Sequence, residues 1–457
     1  MKKRQILRLS LPAIPAVLLL TFASLFYSAR YRALNPKTPS PLSTKEEEDV
    51  NKIISETFFN KSSILFTPEY MNPKDAAGSL FINAASAILA DASTGTILFE
   101  KNADEIIPPA SMTKLVEMYV VLEHTANGDV SLSDEVPLPK ESWAVNLPKD
   151  ASIMFLAQGQ HVTLDELLLG LAVASGNDAS IAIASYVSGS MNDFVYEMNS
   201  LIRKLGLTKT HFVESSGYSE ENLTTAREFA SFSKIYLEKF PFTIKNYHSK
   251  KLIEYPLEKN LPDAQKGRGD IQKITQYNTN KLLGVLPGCD GLKTGFITES
   301  GYNIALTAER NGMRLISVTM RGPGNGSKEG NLYRTQDGTA LMEYGFNNFF
   351  DYKVSESQKK PLTVPLLGSK EKEIFLIPAV EDVLTFPSAA EKNITVEYEV
   401  PGVLYGKVCA GSQYGNLIFK SGETVLKTVP LIASKTSPEA GFLQRIIDFT
   451  VYKFCFK

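Results

Sequence analysis

Apolar residues in this sequence fall into segments of two different spacings, and the order of those segments constrains the fold. Two strand-like runs flank a Thr-Gly pair near residue 95, which predicts a β-hairpin. Segments with helical spacing follow, and strand-like runs return around residue 311. Helices enclosed by antiparallel hairpins predict a mixed α/β domain, an antiparallel sheet with a helical cluster. The predicted strands are 84–91, 96–99, 301–309 and 313–321, and the predicted helices are 112–124, 164–174, 178–187, 191–205, 225–237 and 333–346.

From about residue 352 the sequence predicts short strands and no long helix until the C-terminal residues. These runs are separated by turn residues, and they lie at 373–377, 394–400, 416–419 and 425–429. Such spacing is typical of a small all-β domain. We therefore predict a larger mixed domain over residues 81–350 and a β-sandwich-like domain over residues 351–436.

The N-terminal 32 residues are basic first and apolar afterwards. Four basic residues precede an uncharged run from Leu9 to Ala29, an arrangement typical of an export signal. The run approaches the ~20 residues of a membrane-spanning helix. Residues 1–32 are therefore predicted to be a cleaved signal peptide or an uncleaved membrane anchor, which places the rest of the chain outside the cytoplasm. Residues 33–80, rich in Pro, Ser, Lys and Glu, are predicted to be a tether.

The C-terminal residues 437–457 predict an amphipathic helix. Apolar residues recur at helical spacing, and the polar ones fall opposite them. Such a helix can lie in a membrane interface, and the alternative is docking on the protein's own surface. The apolar side comprises Phe442, Leu443, Ile446, Ile447 and Phe449, and the polar side Gln444, Arg445 and Asp448.

Charge and composition exclude several classes of protein. The 48 Lys and Arg residues oppose 50 Asp and Glu residues, for a formal net charge of −2. This balance excludes a nucleic-acid binder that works through bulk positive charge. Three scattered cysteines and four histidines without a His-x-x-x-His pair argue against a disulfide framework and a metalloenzyme. We expect no metal, no cofactor and no nucleic-acid partner.

Three short motifs carry the candidate chemistry, and the first is Ser111-Met-Thr-Lys114. It opens a predicted helix, so its serine and lysine lie one turn apart on the same face. A serine hydroxyl needs a base to become a nucleophile, and a lysine can be that base when burial lowers its pKa. The same spacing recurs at 231–234 and 357–360, where solvated helix or loop pairs are expected.

The other two motifs are Ser175-Gly-Asn177, between two predicted helices, and Lys293-Thr294-Gly295, on a predicted edge strand. A glycine on an edge strand lets a substrate backbone approach closely. Each motif has a rival match, at 190–192 and 420–422, so neither is specific alone. The order of all three along the chain is far more specific.

In that order the motifs resemble those of the serine D-alanyl-D-alanine carboxypeptidases, the low-molecular-mass penicillin-binding proteins. The segments 91–95, 152–155, 168–179 and 301–303 are similar to the family as well. So are the β domain and the terminal helix, and the resemblance covers about residues 80–457. It implies that residues 81–350 form a serine DD-peptidase catalytic domain with a β-lactamase-like fold.

The resemblance also implies catalytic roles. Ser111 would be the acylated nucleophile, and Lys114 would be its general base. Ser175 would pass a proton to the leaving amine, and Asn177 would hold the substrate amide.

A second set of residues would bind the substrate. Lys293 would sustain the positive field that keeps the general base neutral, and with Thr294 it would bind the terminal carboxylate through a fixed cation. The backbone N–H groups of Ser111 and Phe296 would form the oxyanion hole. Gly295 completes the implied substrate-binding set.

The implied activity is removal of the terminal D-alanine from peptidoglycan pentapeptides through an acyl-enzyme, and β-lactams would acylate the same serine. The implied partners are stem peptides ending in D-Ala-D-Ala, β-lactams and, through the termini, the periplasmic face of the cytoplasmic membrane. A DD-endopeptidase, a β-lactamase and an inactive scaffold protein are the alternatives. The extra β domain, the terminal anchor and the Ser-Gly-Asn loop argue against a β-lactamase, and the complete set of catalytic residue types argues against a scaffold.

Overall fold

The computed structural model describes residues 64–78, 80–267 and 273–456, with a few isolated positions before residue 64. The predicted export segment and most of the predicted tether therefore lie outside the described residues. The chain forms two compact units. The larger holds residues 64–351 with 385–389, and the smaller includes residues 352–384 and 390–457.

A five-stranded antiparallel sheet forms the centre of the larger unit. Strands β1 (Ser86–Asp91) and β2 (Ile97–Lys101) make the predicted hairpin. A separate antiparallel pair, β3 (Leu252–Tyr255) and β4 (Ile274–Tyr277), was not predicted. Strand β5 (Cys289–Ile297) is an edge strand beside the second predicted hairpin, β6 (Gly301–Arg310) and β7 (Met313–Gly322). The strand order is β2-β1-β7-β6-β5.

Both faces of this sheet are covered. Successive residues of β1 belong to different apolar clusters, Ile88 and Ala90 to one and Ala87 and Leu89 to the other. Side chains alternate between the faces of a strand, so each cluster lies on its own side of the sheet. The predicted mixed α/β fold is confirmed.

Five helices form the predicted cluster, and each predicted segment is helical. Polar caps start three of them, because the hydroxyls of Thr163, Ser190 and Thr225 accept hydrogen bonds from N–H groups three residues later. The helices are α1 (Lys114–Asn127), α2 (Leu164–Val173), α3 (Asn177–Ser188), α4 (Met191–Lys204) and α5 (Ala226–Lys239).

A sixth helix, α6 (Ser327–Asn348), packs against the sheet. It begins six residues before the predicted start at residue 333. The prediction missed these first turns because they are mostly polar and show no helical periodicity. The larger unit also starts earlier than predicted. Leu65 is buried, and the Phe66 amide donates to the Gly95 carbonyl at 2.9 Å, so packing begins before the predicted domain boundary at residue 81.

Apart from the terminal helix and one short helix, the described part of the smaller unit beyond residue 351 consists of β-strands, as predicted. The elements after α6 in chain order are β8 (Phe349–Lys353), α7 (Glu356–Lys359), β9 (Leu362–Leu367), β10 (Glu373–Pro378), β11 (Val383–Pro387), β12 (Ile394–Glu399), β13 (Leu404–Tyr405), β14 (Gln413–Ser421) and β15 (Thr424–Ala433). Six of these strands form one sheet with the order β12-β14-β15-β10-β9-β13, which is antiparallel except between β9 and β13.

The predicted terminal helix is present as α8 (Phe442–Cys455). Its inner side is formed by Ile447, Asp448 and Val451, which are buried. The sequence pattern placed Asp448 on the polar side, but its carboxylate accepts the Gly368 amide at 2.8 Å, and this hydrogen bond compensates its burial. Within the described ranges no helix combines the length and apolar character needed to cross a bilayer.

Candidate active site

Ser111 lies in a 3-10 turn, Ala110–Thr113, that runs directly into α1. Its side chain is partly exposed, whereas Lys114, the first residue of α1, is fully buried. The Lys114 Nζ atom lies 3.2 Å from Ser111 Oγ. The three-residue spacing of the motif therefore becomes direct contact between the candidate base and the candidate nucleophile.

Two further groups hold the Lys114 side chain. Its Nζ atom donates to Asn177 Oδ1 at 2.8 Å and to the Ser216 carbonyl. Burial lowers the pKa of Lys114 to about 8, and three nearby carboxyl groups, Glu117 first, oppose that shift. Since a general base works best when its pKa is near the operating pH, the site gives Lys114 a suitable basicity.

The Ser175-Gly-Asn177 loop joins α2 to α3. Ser175 has a φ of 59°, a left-handed conformation that non-glycine residues rarely adopt and that is often found at functional sites. Its Oγ accepts a hydrogen bond from Lys293 Nζ at 3.0 Å, while Asn177 contacts Lys114. This loop therefore links the first motif to the third.

Lys293 is buried on β5 and also donates to the Thr294 carbonyl at 3.0 Å. Burial, and after it the positive charges of Lys114 and Arg334, lower the pKa of Lys293 well below its usual value. Repulsion between two buried ammonium groups is mutual, so the site favours a neutral form of one lysine. The Thr294 hydroxyl donates to the Thr279 hydroxyl at 2.6 Å, rather than to a residue of the other two motifs.

Gly295 and Phe296 follow on the same strand. A Cβ on Gly295 would lie 2.5 Å from the Pro109 carbonyl oxygen, so the absence of a side chain here allows the turn that carries Ser111 to pack against β5. The sequence had suggested a different reason for this glycine, the close approach of a substrate backbone. The Phe296 ring is 48% exposed and stacks on Tyr302 with 4.3 Å between ring centroids. At Gly295 the backbone of β5 therefore lies against the turn that carries Ser111.

The loop around Gly217 is a part of the site that the sequence did not assign to it. Gly217 has a φ of +79°, and a Cβ there would lie 1.9 Å from the Ala110 carbonyl oxygen. The Glu214 carboxylate shapes this loop, because it accepts the amides of Ser216 and Gly217, each at 2.7 Å. The only signal in the sequence is the Ser-Ser-Gly run, which predicts a turn but not its position.

These elements surround a cavity of about 350 Å³. Ser111 opens into it beside Asn177, and β5 contributes Phe296 and Ile297 to the wall. Most of its lining is polar, and the acidic residues Asp150, Glu220 and Glu299 contribute to it. A cavity of this size can hold a small molecule or the end of a peptide.

The rival motif matches serve local structure. Ser231 Oγ donates to the Arg227 carbonyl within α5 at 2.8 Å, and Lys234 pairs with Glu238. Ser190 is the N-cap of α4. Lys420 pairs with Glu397 at 2.5 Å across two neighbouring strands. The contacts of these three matches are therefore accounted for without catalysis.

Comparison with protein families gives two adjoining matches. The D-alanyl-D-alanine carboxypeptidase profile matches residues 73–324. The profile of the C-terminal domain of penicillin-binding protein 5 matches residues 349–439. The two matches correspond to the mixed α/β region and the all-β region.

Individual relatives cover most of the chain. D-alanyl-D-alanine carboxypeptidase DacC from Escherichia coli is 31% identical over 395 residues, covering 85% of this chain and 93% of the relative. DacF from Bacillus subtilis is 28% identical over 417 residues, covering 88% of this chain and 100% of the relative. Penicillin-binding protein 5 from Haemophilus influenzae has a crystal structure with a TM-score of 0.66 at 28% identity, covering 79% of this chain and 98% of that one. The chain belongs to the D-alanyl-D-alanine carboxypeptidase family of serine hydrolases.

Proposed function

We propose that this protein removes the terminal D-alanine from peptidoglycan pentapeptides, with Ser111 as nucleophile and Lys114 as general base. The contact that carries this proposal is the 3.2 Å approach of Lys114 Nζ to Ser111 Oγ beside an open cavity. Burial of the amine, with its pKa lowered to about 8, supports a base that is partly neutral near physiological pH.

Acylation begins when Ser111 Oγ attacks the carbonyl carbon of the penultimate D-alanine and its proton passes to neutral Lys114. The oxyanion that forms is held by the backbone N–H groups of Ser111 and Phe296. The C–N bond then breaks, and the proton on Lys114 passes through the Ser175 hydroxyl to the nitrogen of the departing D-alanine. The product is an ester of Ser111, which water hydrolyses while the serine recovers its proton.

Lys293 and Thr294 bind the carboxylate of the terminal D-alanine in this scheme. The free site favours a neutral form of one lysine because the two ammonium groups repel each other. A bound carboxylate favours the charged form of the lysine it contacts. With Lys293 charged by the substrate, its field then opposes protonation of Lys114, so substrate binding itself favours the active base.

The test is release of D-alanine from a pentapeptide ending in D-Ala-D-Ala. We expect release by the wild-type protein and at least ~10³-fold slower release by Ser111→Ala, because covalent catalysis is lost. Ser231→Ala is the matched control, since that serine belongs to the rival motif on α5, and it should keep wild-type release. Equal release by wild type and Ser111→Ala would exclude the proposal.

We further propose that the protein is exported and lies at the periplasmic face of the cytoplasmic membrane, held there in part by α8. The support is an exposed apolar side on this helix, with Phe442 71% and Leu443 75% exposed, next to the basic residue Arg445. Aromatic and aliphatic side chains beside basic residues favour an anionic membrane interface. Co-flotation with vesicles containing anionic lipid tests this: Phe442→Ser with Leu443→Ser should weaken it, and unchanged flotation would contradict the proposal.

A further inference from the structure

Glu117 is a buried carboxyl group that the scheme above does not use. It lies one turn after Lys114 on α1, has no solvent-exposed surface, and neither of its carboxyl oxygens has a hydrogen-bond partner among the described residues. Burying an ionised carboxylate without donors is very unfavourable, and such a group takes up a proton instead. A neutral carboxyl beside the general base therefore needs an explanation.

Two other carboxyl groups face Lys114, and both have donors. Glu214 accepts the amides of Ser216 and Gly217. Asp178, on α3, accepts the amides of Met154, Leu156 and Ala179, at 2.7, 3.0 and 2.9 Å. Backbone N–H groups stabilise the ionised form of a carboxyl group. Within the described residues no N–H group donates to Glu117, so its ionised form lacks this stabilisation.

The remaining charged groups near α1 are engaged elsewhere. Helices α2 and α4 also pack against α1, but their acidic side chains point to other partners. Asp165 accepts from Tyr247, Glu166 pairs with Lys259, Asp193 accepts from Ser190 and Glu197 contacts His124. On β5, the pKa of Lys293 is lowered by burial and, after it, by the charge of Lys114. Within the described residues, Glu117 and Lys114 are therefore each other's nearest titrating partners on this helix.

We propose that Glu117 is a positioning residue that acts through Lys114: the two groups compete for one proton, and Glu117 sets the pH at which Lys114 becomes a free base. This rests on the proposed role of Lys114 in acylation. When the proton is on Glu117, Lys114 is a neutral amine and can accept the Ser111 proton. When the proton is on Lys114, Glu117 is a carboxylate, and its charge stabilises the inactive ammonium.

The titration behaviour of the two groups agrees with this competition. Burial raises the pKa of Glu117 to about 8, opposed by the charge of Lys114 and by the Ser180 hydroxyl. That hydroxyl also shares a hydrogen bond of 2.6 Å with the Ser215 hydroxyl, and it forms no hydrogen bond with either Glu117 oxygen. Burial lowers the pKa of Lys114 to about 8. Groups that titrate in the same range and interact lose their protons in coupled steps.

The sign of the effect follows from the charge. An ionised Glu117 raises the pKa of Lys114 and so delays its deprotonation to higher pH. Glu117→Gln keeps the shape of the neutral acid and removes the carboxylate. We expect the acid limb of the pH profile for acylation to move to lower pH by about one unit. The limb should also fit the ionisation of one group, Lys114, instead of two coupled groups.

The experiment measures the second-order rate of Ser111 acylation by a chromogenic β-lactam between about pH 5 and 10. Glu123→Gln is the matched control, because it makes the same substitution on the same helix at a residue that pairs with Lys239; its limb should coincide with the wild-type limb. Glu117→Leu, which removes the polar group altogether, should shift the limb in the same direction as Glu117→Gln. Infrared difference spectra of wild type minus Glu117→Gln at pH 7 should show the carbonyl stretch of a protonated carboxylic acid.

A role in packing alone predicts a different result. It would change the rate at every pH by one factor and leave the limb where it is, and that outcome would overturn the proposal, as would the absence of the carboxylic acid band. Wild-type acylation at Ser111 with an unshifted limb in both Glu117 variants would reject this inference while leaving the proposed function intact. Absence of wild-type acylation would reject the proposed function itself.

Discussion

Replacing Gly217 by alanine should displace the turn that carries Ser111, the proposed nucleophile, without altering any side chain proposed to be catalytic. A Cβ at this position would lie 1.9 Å from the Ala110 carbonyl oxygen and 2.8 Å from the Ser111 amide nitrogen, where ordinary contact begins at 3.4 Å. The atoms that obstruct it belong to the backbone, so they cannot rotate away, and relief requires a movement of about 1.5 Å, the difference 3.4 − 1.9. A displacement of about 1 Å at a reacting group can lower the rate ~10²-fold.

The chain offers a control that isolates the contact from the backbone strain. Gly189 has a φ of +77°, close to the +79° of Gly217, but nothing lies within 4 Å of its Cβ position. Both substitutions place alanine in the left-handed region, at about 1 kcal/mol each. Only Gly217→Ala adds the steric conflict, which should destabilise the fold by roughly 1–3 kcal/mol more.

The assay compares the two variants with wild type by thermal unfolding and by the second-order rate of β-lactam acylation. We expect Gly189→Ala to keep the wild-type rate within about twofold and Gly217→Ala to be roughly 100-fold slower. A rate for Gly217→Ala within about threefold of Gly189→Ala would refute the claim that this loop holds the Ser111 turn in place.

Two further substitutions test the charges. Lys293→Met should lower kcat/KM on a D-Ala-D-Ala peptide ~10–100-fold, because it removes a charged hydrogen-bond donor. It should also move the acid limb of the acylation profile to higher pH, because Lys114 loses a positive neighbour. An unchanged limb in stopped-flow profiles would count against this coupling between the two lysines. Asp351→Asn should flatten the pH dependence of stability. Burial raises the pKa values of Asp91 and Asp351 above their unfolded values, so their contribution is fully present below about pH 4 and is lost as pH rises. The variant should gain about 1–2 kcal/mol over wild type near pH 8 in chemical unfolding, after discounting for the partial exposure of Asp351, and an equal slope in both proteins would contradict this sign.

The order of the three motifs along the chain resembles that of one enzyme family, and this resemblance implied that the motifs meet in space, as they do. Lys114 contacts Ser111 and Asn177, and Lys293 contacts Ser175. The strand and helix segments were also predictable, since apolar periodicity reports which face of an element is buried. Periodicity, however, does not identify the residues that pack against the buried face.

The remainder depends on packing between segments distant in sequence. A glutamate at position 117 carries no sign that it is fully buried, because long charged side chains are rarely buried without a partner. Helical periodicity assigned Asp448 to the polar side of its helix, whereas its carboxylate accepts the amide of Gly368, 80 residues away. The approach of Gly217 to Ala110 likewise joins residues about a hundred positions apart, and local turn chemistry does not specify such a contact.

The most direct test of the central claim is the location of the covalent adduct. The protein is incubated with benzylpenicillin, digested and analysed by tandem mass spectrometry, with Ser111→Ala treated in parallel. The account predicts one penicilloyl group on the peptide that contains Ser111 and none on the variant. An adduct on another serine, or an equal adduct in Ser111→Ala, would contradict it.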